Sequence, residues 1–285
     1  MSLENFIPEV WSARLLENLR TSLVYGQPGV VNRDYEGDIR QAGDTVRITA
    51  IGAVANAAYT KNATTVVPET LDDAQTILSI DQCRYFAFQI DDVDRAQQRP
   101  NVMEAAMREA AYSLANTADQ YLASLWSQVD EGNYVGSVGS PKTGYTAAQV
   151  YEFLVELKVV LDTNDVPREG RFCIVPPFLE GYLLKDDRFV KSGTESGVAA
   201  LMNGQVGRAA GFQILSSNNV PSATATTGFK VIAGHPTAWT YAEQVRQVEA
   251  YRPEGKFADA VKGLHLYGAK VVRPRALACL VINAT

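Results

Sequence analysis

The stretch NGQVGRAAGFQILSSNNVP, residues 203–221, places Gly204, Gly207 and Gly211 close together ahead of an apolar run. These are the residue types of a loop whose backbone N–H groups cradle a phosphate. A dinucleotide-binding loop requires such glycines to leave a strand and open a helix. Here they follow the helix-like GVAALMN and enter the strand-like FQILSS, which is the reverse order. Gly211 is therefore expected to end a helix and admit the chain to a strand, with SNNVP as the turn beyond it. Gly207 and Gly211 then serve backbone geometry, and a nucleotide-dependent α/β enzyme is the more distant alternative.

Other catalytic chemistry finds little to work with. The only histidines are His235 and His265, and neither belongs to a closely spaced HExxH or CxxC-type ligand set. His235 lies in AGHPTAW, where the glycine before it and the proline after it predict a structural turn. Neither a GxSxG elbow nor a GxxxxGK[ST] loop occurs. No catalytic, cofactor or metal site is expected, and the chain is not expected to be an enzyme. Cys83, Cys173 and Cys279 are far apart and set in apolar surroundings such as FCIVPP and ALACLVIN, so they read as buried thiols of a reducing compartment.

The 285 residues are 46% hydrophobic and carry a formal charge of −6, with 32 acidic against 26 basic residues spread along the chain. That balance disfavours tight, direct binding of nucleic acid. No apolar run approaches the roughly 20 residues of a membrane span, and MSLENFIPEVW lacks the pattern of a secretory signal. A soluble protein made in a cytoplasm is expected.

Several elements must carry these residues. PEVWSARLLENLRTSLV predicts an amphipathic helix with Pro8 in its first turn, followed by a turn-rich segment that must lie across some other surface. TVRITAI and QTILSIDQCRYFAFQI predict the two arms of a long hairpin, with Thr76, Leu78 and Ile80 on one side and Ile77 and Ser79 on the other. From Val102 to Val129, Met103, Met107, Ala110, Leu114, Ala118, Tyr121, Leu125 and Val129 recur at three- and four-residue steps and predict a long helix packed along one stripe. VGSVGSPKTGYT marks a boundary. Beyond it TAAQVYEFLVELKVVLDTN predicts a helix, RFCIVPP a buried strand, and FLEGYLLKDDRFVKS a helix followed by an exposed charged turn. GFKVIAG and QVRQVEAYRP read as strands, GKFADAVKGLHLYG as a short helix, and YGAKVVRPRALACLVIN as a terminal strand buried on both faces.

In this order, FIPEVWSARLLENL, GDTVRI, LSIDQCRYFAFQIDDVDRAQ, the long helix, VPPFLEGYLLKDDRFV, GRAAGFQILSSNNVP and TYAEQVRQVEAYRPEGKFADAVKGLHLYGAKVVRP, the sequence resembles the major capsid proteins of tailed bacteriophages, the Hong Kong 97-like fold. The resemblance runs over essentially the whole chain and implies an α+β capsid fold. It implies an N-terminal arm over 1–40, an extended β-hairpin loop over 41–84 that overlaps a neighbouring subunit, and a peripheral domain over 85–135 with Val102–Val129 as its spine helix. An axial domain over 136–255 and a return to the peripheral domain over 256–285 complete it, with the C-terminal strand beside the RYFAFQI strand and the spine helix.

The function so implied is an icosahedral head shell built of hexamers and pentamers around double-stranded DNA, without sequence-specific contact, and located in the virion. A portal at one vertex and a decoration protein are partners of such shells. No long charged helix precedes the arm, so either a separate scaffolding protein is expected or the chain is already a mature product. An encapsulin-type compartment shell is the nearer alternative. Some relatives join subunits by a lysine–asparagine isopeptide bond. Lys61 is the only lysine between residues 1 and 141, but the carboxylate and partner such a bond needs are not legible. Lys61, Asn62, Arg95, Asp186, Asp187 and Arg188 are accordingly candidate intersubunit contacts, or equally the charges of solvated turns.

Overall fold

The computed structural model describes residues 23–35, 45–51, 58, 61, 73–91, 102–186, 207–222, 228–255 and 258–284. The amphipathic segment expected near the N-terminus lies, up to residue 22, outside them. Two sheets share one core. The larger has six strands in the order β4-β11-β8-β5-β7-β6, with β4 Tyr134–Val135, β5 Phe172–Val175, β6 Arg208–Ala209, β7 Phe212–Ser216, β8 Phe229–Gly234 and β11 Leu277–Ile282. β5 pairs parallel with β7 and antiparallel with β8, and β8 pairs antiparallel with β11. This sheet is covered on both faces, so its central strands are apolar without alternation. Along β11, Leu277, Cys279 and Val281 enter one core, and Ala278, Leu280 and Ile282 enter the other.

The second of these cores is closed by helices. In α2, Ala147–Thr163, the three- and four-residue steps of Val150, Leu154, Leu157 and Leu161 build one fully buried stripe. Gln149 starts the helix by accepting a hydrogen bond from the Thr146 backbone N–H at 2.8 Å. α3, Pro177–Leu184, begins on a proline that costs no hydrogen bond in a first turn and buries Leu179 and Leu183 against the same face. Each such aliphatic side chain contributes about 1.5–3 kcal/mol of burial.

The smaller sheet is antiparallel, β3-β10-β9, with β3 Gln82–Asp91, β9 Trp239–Tyr251 and β10 Ala258–Val271. Against it lies α1, Val102–Ser124, continued by a 3₁₀ turn over Leu125–Gln128. Its 23 residues give a rod of about 35 Å. Leu114, Ala118, Leu125 and Val129 are buried as their spacing predicts, while Met107, Ala110 and Tyr121 are half-buried. The buried line also includes Leu122 and the small residues Ala111, Ala115 and Ala123, which let the strands approach closely.

Two expectations fail in this region. GKFADAVKGLHLYG forms most of β10 rather than a helix: Ala258 to Tyr267 pair residue by residue with β3, and Ala260 to Val271 pair with β9. Strands on both sides satisfy its backbone, and Gly263 lies across from Phe86, whose ring fills the space a Cβ would take. The C-terminal run is not one strand either. Gly268 to Val271 end β10, a 3₁₀ turn over Pro274–Ala276 breaks the chain, and β11 enters the six-stranded sheet instead of lying beside β3 and α1. Proline cannot donate to a ladder, so the break falls there.

β1, Thr45–Ile51, and β2, Asp73–Ser79, form an antiparallel hairpin in register from Thr45↔Ser79 to Ile51↔Asp73. The expected single strand from Gln75 onward divides at Ile80 and Asp81, and β2 and β3 join different sheets. Leu78 and Ile80 are buried and Ile77 is 50% exposed, as their alternation predicts. The base of the hairpin rests on its own chain, through Ile48, Leu78 and Ile80 against Ala242 and Leu266. There β10 carries Gly268, where a Cβ would meet Ser79 O at 2.3 Å. No helix among the described residues is long and apolar enough to cross a membrane.

Candidate functional site

The chemistry the structure concentrates is at the seam between the sheets, and it holds a strap of chain, residues 23–33. Trp239 is its hub. Its ring stacks on Phe172 of β5 at 5.8 Å and meets the edge of Tyr25 at 6.3 Å, while its indole N–H donates to Val30 O. Asn32 and β9 exchange two backbone bonds, Asn32 N to Trp239 O at 3.1 Å and Tyr241 N to Asn32 O at 3.0 Å. Leu23, Tyr25, Val30 and Val31 are buried to within 1%.

Two buried acids grip the strap. Asp119, on the inward stripe of α1, accepts hydrogen bonds from Val24 N and Tyr25 N at 3.1 Å. Burial raises its carboxyl to about 6, against the lowering effect of those N–H groups and of the Asn219 side chain. Glu243, on β9, pairs with Arg33, accepts from the Tyr241 hydroxyl at 2.7 Å, and stands 3.2 Å from His265 Nε2. Burial pushes the Glu243 carboxyl up, but the hydrogen bond from His265, the Arg33 charge and the Tyr241 hydroxyl together bring it to about 2. Arg33 also donates to Gly26 O at 2.9 Å and lies over the Tyr241 ring. The cluster is buried and ties the strap to β9, while the Tyr25 hydroxyl and His265 Nδ1 within it find no hydrogen-bond partner among the described residues.

The sequence did not single out Arg33, Asp119, Glu243 or Tyr241. One signal was present: in WTYAE, Trp239, Tyr241 and Glu243 alternate onto one face, which places an acid among buried aromatics.

The residues that were singled out are placed differently. Gly211, with φ of +88°, and Ala210, with φ of +50°, form the two-residue turn between β6 and β7, so Gly211 turns a β-hairpin rather than ending a helix. Gly207 precedes β6, and its carbonyl accepts from Ile214 N at 3.3 Å. A phosphate loop would need a helix where β7 begins. Lys61 is an exposed turn residue, while Asn62, Arg95, Asp187 and Arg188 lie outside the described residues. Asp186 does not sit in an exposed turn: it is buried at the end of α3, with its N–H bonded to Leu183 O. His235 is the turn residue expected, its Nδ1 accepting from Thr237 N. Cys173 and Cys279 are buried, but Cys83 is exposed, because β3 points it away from α1. No cluster of potential metal ligands occurs among the described residues.

The outward surface is an open sheet face. Along β3, Phe86 and Phe88 turn toward α1, and Cys83, Tyr85, Ala87 and Gln89 alternate outward, Tyr85 with 78% exposure. Beside them Lys262 of β10 pairs with Glu249 of β9 at 2.8 Å and lies over the Tyr251 ring.

Comparison with known proteins bears on this architecture. A chain described as "Mycobacterium phage Che8" superposes with a TM-score of 0.73 and 27% identity, covering 98% of both chains. The capsid of the cyanophage P-SCSP1u gives a TM-score of 0.69 at 18% identity over 86% of this chain and 85% of that one. A virus-like particle from Pyrococcus furiosus gives 0.55 at 14% identity over 96% and 98%. A search of curated protein sequences finds no match. The family model described as phage capsid protein matches residues 76–280, and the chain belongs to that phage capsid protein family.

Proposed function

We propose that this chain is the major capsid subunit of a tailed phage, and that hexamers and pentamers of it close an icosahedral shell around double-stranded DNA. The carrying observation is the match of the phage capsid protein family model over residues 76–280. The encapsulin-type alternative is not favoured, since the family model is that of phage capsids.

In this reading residues 1–40 are the arm, and the strap is its fixed root. The 41–84 hairpin reaches a neighbouring subunit, 85–135 is the peripheral domain with α1 as spine, and 136–255 is the axial domain. The segment 256–285 serves both: β10 completes the small sheet with β3, and β11 the large one with β8. Lys61 and the open face around Tyr85 are intersubunit contacts, whereas the carboxylate of Asp186 is buried within its own subunit. A separate scaffolding protein, a portal and a decoration protein are the expected partners. The host cytoplasm is the site of assembly, and the virion the destination.

Such a protein works by repeated modest interfaces, each of roughly 1,200–2,000 Å², summed over a closed shell. Electron microscopy with nuclease treatment tests the proposal. Uniform shells protecting double-stranded DNA support it; particles holding a protein cargo and no DNA in infected cells contradict it. Boiling in denaturant tests the crosslink: bands at the 31.0 kDa monomer exclude a covalent lattice, and ladders establish one.

A further inference from the structure

We propose that Asp119 is a protonation-sensitive clasp that sets how firmly the strap, and with it the root of the arm, is held to α1. The proposal rests on the capsid reading only for its consequence, since the clasp itself is a property of the single chain.

Among the described residues Asp119 is held by N–H donors and by no cation. Asp119 is buried on the inner stripe of α1, and its Oδ1 accepts from both Val24 N and Tyr25 N. Oδ2 also accepts from Val24 N, and Gly26 N adds a further bond. Within four residues along α1 the only titratable group is Tyr121. From the strap it faces Tyr25, whose hydroxyl burial and the Asp119 charge hold well above its ordinary range. Behind Tyr25 are the thiols Cys173 of β5 and Cys279 of β11, both pushed up by burial, and from the 217–220 turn comes the uncharged side chain of Asn219. The Arg33 guanidinium of the strap is bound instead to Gly26 O and Glu243, and Glu243 also takes His265.

An ionised Asp119 therefore keeps its N–H donors but loses hydration with no opposite charge among the described residues in return. A neutral carboxyl retains Oδ1 as acceptor for Val24 N and Tyr25 N. Asn219 can rotate its amide to offer oxygen to the new O–H. The sign follows from the direction of the shift. A carboxyl at about 6 when clasped and near 3.8 when released binds protons more tightly in the clasped state. The clasp is weakest above pH about 6 and tightens as pH falls toward 4, which is opposite to Glu243. The strap is thus easiest to withdraw at neutral pH, where an arm must adapt to its neighbours, and a more acid medium locks it.

Hydrogen exchange of the Val24, Tyr25 and Gly26 amides in the purified full-length chain, corrected for intrinsic rates, measures this between pH 7.5 and pH 5. Protection is expected to rise about tenfold over that interval in the wild-type chain, with the rise setting in near pH 6. Asp119→Asn keeps an acceptor but cannot ionise, and its protection is expected to be flat. A flat wild-type profile overturns the proposal, and so does the same pH dependence in Asp119→Asn. Should the variant not fold, the wild-type profile decides alone. Failure here leaves the capsid reading intact, because shell formation is scored separately by microscopy.

Discussion

Replacing Gly268 by alanine places a methyl group where β10 meets the base of the hairpin. The added Cβ would lie 2.3 Å from Ser79 O, 3.0 Å from Ile80 Cα and 3.0 Å from Ile80 Cδ1. Two of these neighbours are main-chain atoms, so no side-chain rotation relieves the clash. A carbon–oxygen contact relaxes at roughly 3.3 Å, so the hairpin base must retreat by about 1 Å. Overpacking of this kind costs about 1–3 kcal/mol, and the loosening of Leu78 and Ile80 places the expected loss in the upper half of that range. For a chain of this size that is a fall of roughly 3–5 °C in Tm. Gly263→Ala is the control, because the three atoms nearest its Cβ would all belong to the ring of Phe86, with Cε1 at 2.2 Å, and a half-buried ring can turn aside. Thermal unfolding of unassembled subunits by circular dichroism, together with hydrogen exchange of β2, reads both. Gly268→Ala should lose more stability than Gly263→Ala, and should lose protection at Leu78 and Ile80 first. A Gly268→Ala Tm within about 1 °C of wild type, or the reverse ranking, refutes the role given to this contact.

Glu243→Gln should remove about 3 kcal/mol at neutral pH, since the native carboxyl lies at about 2 against an ordinary 4.5. For this depressed group the contribution is complete above pH about 4.5 and is lost as pH falls toward 2, so acid titration followed by urea unfolding should show wild type and variant converging there. Cys83 should react with a thiol reagent in the native chain while Cys173 and Cys279 react only after denaturation; mass spectrometry of the labelled peptides checks this, and early labelling of either buried thiol contradicts the packing. Asn133→Ala should cost about 1–3 kcal/mol by urea midpoint, because Asn133 donates to Arg275 O and Leu277 O and accepts from Asn164, tying the entry of β11 to α2.

What the sequence disclosed followed from local periodicity. Leu114, Ala118, Leu125 and Val129 marked the inner side of α1, and the unalternating ACLVI announced a strand covered on both faces. The register of Leu78 against Ile77 was likewise legible, because a hairpin base with one dry side obeys a period of two. β10 misled for a physical reason. Glycines at 263 and 268 stand where Phe86 and Ser79 approach, so the alternation of large side chains expected of a strand is interrupted. Gly211 sits in a hairpin turn where the sequence points to a helix end, since a tight hairpin and a helix end both ask for positive φ. The clasp was illegible because its parts are dispersed: Asp119 holds residues 95 and 94 positions earlier in the chain, and Arg33 reaches Glu243 across 210. Only the fold brings them together.

The central claim, that this chain builds a shell, is tested most directly by cryo-electron microscopy of the expressed protein, alone and together with its phage's other structural proteins. The account predicts uniform icosahedral particles with subunits clustered in sixes and fives, α1 resolved as a straight rod, and the 41–84 hairpin crossing onto a neighbouring subunit. A chain that stays monomeric under both conditions, or a particle in which that hairpin contacts only its own subunit, contradicts it.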